Sequence, residues 1–247
     1  MNRAKMILGH TSIPPMLVAV AVGLVILVTQ GPWWIWLFAV LGIPTQMLNE
    51  YSLHRYIFHL PPPKRQWAFD LLYQAHYGHH DFPTKIKLFF APIWVTLPIL
   101  ALNIGIVWAL AALVLPAHAL AIAAAIVLVG GTGTFLGYEW FHMTAHLTVP
   151  KTWVERHVTT LHNQHHFRDF SKWFHVSPGG QIIDRAMGTS INHDALRQQQ
   201  RIEFIRTLGM RPDDARLVAA RARFAEKYDL TPTEITRAAQ VQGTARA

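Results

Sequence analysis

The sequence predicts an all-α integral membrane protein with four transmembrane helices in two hairpins and a cytoplasmic helical cap that holds a histidine-rich dinuclear metal site. Three observations carry this reading. The 247 residues are 51% hydrophobic and 15% charged. No Asp, Glu, Lys or Arg lies between Lys5 and Glu50 or between Lys87 and Glu139, and each of these gaps is long enough for two crossings of roughly 20 residues. Ten of the 15 histidines fall in four clusters: HRYIFH from His54, HYGHH from His76, HMTAH from His142 and HNQHH from His162.

The first hairpin is expected to cross from about Pro15 to Gln30, a short span, turn at Gly31-Pro32 and return from Trp33 to about Phe58. The second is expected to rise from Leu88 to about Leu115, turn at Pro116 and descend from Ala119 to about His146, with Pro92 and Pro98 able to kink its first helix. The turns carry no Lys or Arg, whereas Arg3, Lys5, Lys64, Arg65, Lys85 and Lys87 lie in the N-terminus and middle loop. The excess of positive charge on the cytoplasmic side of membranes therefore puts both termini and the middle loop in the cytoplasm. Trp33, Trp34 and Trp36 suit the opposite interface. All four histidine clusters then meet on one face of the membrane.

The N-terminus has the basic start and apolar run of a signal peptide, but no A-x-A-like site follows Val28, so a retained span is expected. Cysteine is absent, which excludes thiolate ligands. The net charge of +8 fits a surface against anionic lipid, and no nucleic-acid motif accompanies it. Residues 1–192 read as one membrane domain with its cap, and 193–247 as a polar helical tail. In that tail Asp213 and Asp214 precede a helical run to about Tyr228, and Thr231-Pro232-Thr233-Glu234 reads as a capping box.

Imidazole is the commonest biological metal ligand. At about 100° per residue, His76/His79/His80, His142/His146 and His162/His165/His166 can each converge on one helix face. His54 and His59 sit about 140° apart on a regular helix; they would reach one metal from a frayed end, or two metals from a regular one. Ten ligands exceed what one ion holds, which favours two. Glu50 and Glu139, four and three residues before box histidines, are candidates to orient a ligating ring, and Asp184 is a third supporting carboxylate. His10 and His193 are expected to be solvated, His118 to lie in the distal turn, and His157 and His175 to lie outside the site. Gly130, Gly131, Gly133 and Gly137, with a G-x-x-x-G at Gly133 and Gly137, suggest close helix packing in the fourth span. Imidazole donors alone suit Zn, Cu, Fe or Ni. Hydrolysis is disfavoured, since no H-E-x-x-H occurs.

The order H-x4-H, H-x2-H-H, H-x3-H, H-x2-H-H, each pair after a hairpin, resembles the fatty acid hydroxylase/sterol desaturase superfamily of membrane di-iron oxygenases. Glu50-Tyr51, HHFRDF, Asp184 and Gly188-Thr189 look like fatty acid 2-hydroxylases and related bacterial members, over about Pro32 to Thr189. The resemblance implies two iron ions, with zinc as a replacement in purified protein, ligated by His54, His59, His76, His79, His80, His142, His146, His162, His165 and His166. It implies O2 as co-substrate, a lipid or fatty acyl substrate, and a multi-pass protein of a bacterial inner membrane. No cytochrome b5 domain is recognisable, so the expected electron source is a separate ferredoxin, rubredoxin or cytochrome b5-type protein. Sterol, sphingoid and carotenoid substrates are the alternatives; carotenoid hydroxylases would be expected to have H-x4-H at the third box. Outside enzymes, a metal transporter would place ligands near mid-bilayer and a haem-binding cytochrome would place axial histidines within the spans.

Overall fold

The computed structural model describes residues 2–192 and 204–240, and among them every regular element is helical. Helix α1 (Arg3–Leu8) starts where Asn2 accepts the N–H groups of Ala4 and Lys5. Helix α2 (Ile13–Gln30) opens with prolines in its first turn, where the missing N–H has no helical partner to lose, and stops at Gly31-Pro32. A 3-10 turn (Trp33–Leu37) leads into α3 (Phe38–Leu53), which runs on into a π turn (His54–Phe58). Helix α4 (Gln66–Leu72), a second π turn (Tyr73–Tyr77) and α5 (Gly78–Asp81) form one continuous run. Helix α6 (Ile93–Val114) follows Pro92, which occupies its N-cap, so that only Pro98 lies inside the helix. A 3-10 turn (Pro116–His118), α7 (Ala119–Ala123), a π segment (Ala124–Gly131) and α8 (Thr132–His146) then descend together. Helices α9 (Trp153–Phe167) and α10 (Gln181–Ala186) complete the region that carries the histidines, and α11 (Ala215–Phe224) and α12 (Pro232–Ala239) form the tail.

Among the described residues, three helical runs are long and apolar enough to cross a membrane: Ile13–Gln30, Ile86–Val114 and Pro116–His146. The expected second crossing, 33–58, is helical throughout, but it is divided among 3-10, α and π geometry, and its α-helical part holds 16 residues with Pro44 inside. That is shorter than the roughly 20 residues of a regular crossing. Helix α6 buries only Thr96 and exposes Leu102, Leu110 and Leu113, a surface suited to lipid.

Helix α3 lies directly against the π segment and α8. A Cβ on Gly130 would stand 1.9 Å from the Ala39 carbonyl oxygen, and one on Gly42 would stand 2.2 Å from that of Ile126. These two glycines let the backbones touch. The expected G-x-x-x-G does not, since a Cβ on Gly133 or Gly137 would meet nothing within 4 Å.

Glu155 fastens the cap. It completes a capping box with Thr152 at the start of α9 and accepts Nη1–H of Arg3 at 3.0 Å and Nε1–H of Trp140 at 3.1 Å, joining α1, α8 and α9. The tail packs on the middle loop, with Met210, Leu217 and Ala220 against Phe69, Tyr73 and Tyr77, and Tyr228 and Leu230 against Phe82 and Leu88. The capping box at Thr231 forms as expected. Helix α11 ends at Phe224, short of Tyr228, because the chain turns back through Asp229, whose φ of 55° is left-handed. His10 is half-buried, stacked on Phe90 with ring centroids 4.8 Å apart, rather than solvated. His118 lies in the distal turn against Trp34, and His193 falls outside the described residues.

Candidate metal centre

The first box owes its geometry to the π turn. His59 N–H donates to the His54 carbonyl at 3.1 Å, an i→i+5 bond that widens the turn by one residue. Two rings that a regular helix would splay apart are thereby brought together, so neither a frayed end nor two separate metals is needed.

All ten box histidines gather into two groups of five. His54, His59, His76, His80 and His165 form the first, and His79, His142, His146, His162 and His166 the second; within each group the candidate ligand atoms lie within 4.8 Å of one another. The expected convergence of whole boxes does not hold for HYGHH and HNQHH. On α5 and the π turn before it, His76 and His80 face the first group while His79 faces the second; on α9, His162 and His166 face the second while His165 faces the first. The i, i+4 pairs stay together because they share a helix face, and the intervening histidine is rotated away from it. The groups are adjacent, with the rings of His80 and His166 stacked at 4.2 Å.

Within the groups, Nε2 atoms approach one another at 2.8 to 3.2 Å, as in His54···His76 at 3.1 Å, His59···His76 at 3.0 Å, His142···His79 at 3.0 Å and His146···His162 at 2.8 Å. An ion with bonds of about 2.1 Å to imidazole nitrogen sets neighbouring donors at right angles about 3.0 Å apart. The donor set therefore fits a metal ion in each group. Burial holds the imidazoles of His76, His79, His80, His162 and His166 well below their usual range and His165 down to about 4. Neutral rings are the form that binds metal.

Two rings have their tautomer set by one loop. His165 Nδ1–H donates to the Lys172 carbonyl at 2.6 Å, and His54 Nδ1–H donates to that of Phe174, leaving both Nε2 lone pairs directed into the first group. Between these carbonyls sits Trp173, a non-glycine residue with φ of 53°. Its left-handed backbone is the strained link that aims both carbonyls at the site, held by Trp173 N–H to the Thr189 carbonyl and Nε1–H to Gln164 Oε1.

The three carboxylates make no hydrogen bond to a ring of either group. Glu50 accepts the backbone N–H groups of Val176 and Ser177, at 2.7 and 3.2 Å, and the Ser177 hydroxyl. Asp184 accepts Phe174 N–H at 2.9 Å, His175 N–H at 3.2 Å and the Thr189 hydroxyl at 2.8 Å. Both thus hold the loop that holds His54. Glu139 accepts Ala91 N–H at 3.1 Å and ties α8 to the start of α6. His175, expected outside the site, is buried against Asp184, stacked on Tyr51 and bonded to the Met47 carbonyl. Burial alone would lower its pKa, but the carboxylates of Asp184 and Glu50 outweigh burial and raise it. His157 is exposed. Sequence reading also missed Trp173, Tyr138, which stacks on His142 at 5.5 Å, and Asp81, which is buried beside His80.

A cavity opens beside His54. It lies among α2, α3, α6 and α8, is lined mainly by apolar residues including Met16, Leu53, Phe58, Val95, Leu100 and Phe135, and reaches Glu50 and Tyr138.

Comparison with known proteins gives a consistent picture. A dihydroceramide fatty acyl 2-hydroxylase of Arabidopsis thaliana is 31% identical over 163 residues, 62% of this chain and 60% of the relative. The ceramide very long chain fatty acid hydroxylase scs7 of Schizosaccharomyces pombe is 29% identical over 167 residues, 62% of this chain and 42% of the relative. The chain thus spans under two-thirds of these relatives' length. A solved structure of full-length scs7p, in which only the hydroxylase domain is visible, has the same fold, with a TM-score of 0.60 at 23% identity over 72% of this chain and 63% of that one. Residues 36–189, more than half of the chain and containing all four boxes, match the fatty acid hydroxylase family model, and the chain belongs to that family.

Proposed function

We propose that this protein is a membrane-bound di-iron oxygenase that hydroxylates the acyl chain of a lipid or fatty acid. The observation that carries the reading is the two adjacent five-histidine groups, the first of which borders an apolar cavity between helices through His54. Imidazole donors suit iron among other first-row metals, and each group of five histidines would hold one ion. Bound iron would supply O2 activation, with two electrons from a partner protein of ferredoxin, rubredoxin or cytochrome b5 type. The chain's own part is to hold the ten rings neutral, to set the tautomers of His54 and His165 through the 172–174 loop, and to place an acyl C–H bond beside the first group while excluding water. The acyl substrate is favoured because two relatives carry names describing hydroxylation of ceramide or dihydroceramide acyl chains.

The topology we propose keeps α3 as the second of four crossings. Its Gly42 contact with the π segment sets it alongside α8, and its end delivers the first box to the same side as the other three. A cytoplasmic face for all four follows from the positive charge of the N-terminus and middle loop.

The direct test is lipid analysis of a strain lacking the protein beside its parent. The strain should lack a set of lipids that each carry one oxygen atom more than their remaining counterparts, and re-expression should restore them. An unchanged lipid profile would reject the activity. The metal is tested separately by chelation. Removing it should lower the thermal midpoint of the purified protein by about 10 °C, since saturating a tight site contributes about 4 kcal/mol. Re-adding iron should restore the midpoint.

A further inference from the structure

We propose that the C-terminal segment positions the metal centre through Arg221 and Arg206, an inference that rests on the metal reading above. Consecutive histidines on α5 serve different groups, His79 the second and His80 the first. The next residue, Asp81, is 1% exposed and is held from two sides. Its carboxylate accepts Nε–H and Nη2–H of Arg221 at 2.8 and 3.1 Å and the Tyr73 hydroxyl at 3.3 Å, while its backbone carbonyl accepts Nη2–H of Arg206 at 2.8 Å. Arg221 is fully buried and also donates Nη1–H to the Pro212 carbonyl at 2.6 Å.

Fixing the side chain and the carbonyl of one residue fixes both the position and the rotation of the chain at that point. This matters at Asp81 because it is the last residue of the helical run that carries the second box, directly after His79 and His80. A rotation at Asp81 would swing His79 and His80 out of both groups together. A forked guanidinium suits the task because its two parallel bonds define a plane, whereas an ammonium defines only a point. Both arginines lie beyond residue 189, where the family match ends. The positioning of the second box is therefore a device of the tail, and Arg221 acts through Asp81 without touching either group.

The test is cobalt(II) titration of the full chain in detergent, read by visible ligand-field absorption. Arg221→Gln should weaken cobalt binding 10- to 100-fold, the usual effect of removing support from a metal ligand, and should shift the absorption bands of both sites. Arg221→Lys should recover only part of the loss. Arg206→Gln removes one hydrogen bond from an exposed side chain and should weaken binding by roughly 3- to 10-fold. If Arg221→Gln does not fold, the double variant with Asp81→Asn leaves no unpaired buried charge and should fold with the same weakened binding. Folded Arg221 or Arg206 variants with the parent's affinity and spectrum would overturn the inference while leaving the metal centre intact. A parent protein that takes up no cobalt would overturn the metal reading itself.

Discussion

Replacing His79 by alanine is expected to lower the iron content of the protein from about two ions per chain to about one, and to reduce turnover to below roughly 1% of the parent. The separation into groups makes the stoichiometry specific. His79 is one of five donors in the second group, whereas the first group, with His76 and His80 from the same helical run, keeps its full set. Loss of a supporting residue alone weakens metal sites 10- to 100-fold, and loss of a donor should cost more. His165→Ala should give the complementary result, emptying the first group although its helical neighbours His162 and His166 remain with the second. Metal analysis on protein from iron-replete cells, together with turnover, checks both. Retention of two irons by either variant would contradict the grouping, and joint loss of both ions would mean that the sites bind cooperatively.

A second large effect is expected at Gly130. An alanine there would drive its Cβ into the Ala39 carbonyl, a contact between two backbones that no side-chain rotation relieves. Separating α3 from the helix that carries Gly130 should cost about 3 kcal/mol, a large part of the stability of an ordinary domain. Because α3 ends in the first box, the displacement should also disturb His54. Gly133→Ala, in open space three residues away, should be neutral or stabilising by up to about 1 kcal/mol, since alanine is the better helix former. Thermal denaturation of the two variants in detergent distinguishes them, and equal midpoints would refute the packing argument.

These two effects also mark where sequence reading stops. The apolar stretches and the four boxes were legible because both are local: absence of charge over a length, and rings at fixed spacings. The all-helical class and the gathering of ten histidines followed from them. The π turn did not follow, although the awkward i, i+5 spacing of His54 and His59 was its signal. Which histidine joins which group depends on how α5 and α9 are rotated against each other, and no spacing within a box fixes that rotation. Of the four glycines expected to pack closely in the fourth span, Gly130 does so and the G-x-x-x-G pair Gly133 and Gly137 does not, because the contact is made with Gly42, which lies in another segment of the sequence. Trp173 gives no sign of a left-handed backbone, and the Asp81–Arg221 pair spans 140 residues.

The exchange of ligands between boxes has a consequence for biogenesis. The first group lacks a donor until His165 has been synthesised, and the second until His166 has. Domains generally take shape N-terminal first during synthesis, so the first two boxes are in place while both groups are still incomplete. Neither half of the protein, expressed alone, holds a complete donor set. On the metal reading proposed above, loading is therefore a late step that waits for the fourth box, and a ribosome stalled before it would leave a chain unable to complete either five-histidine group.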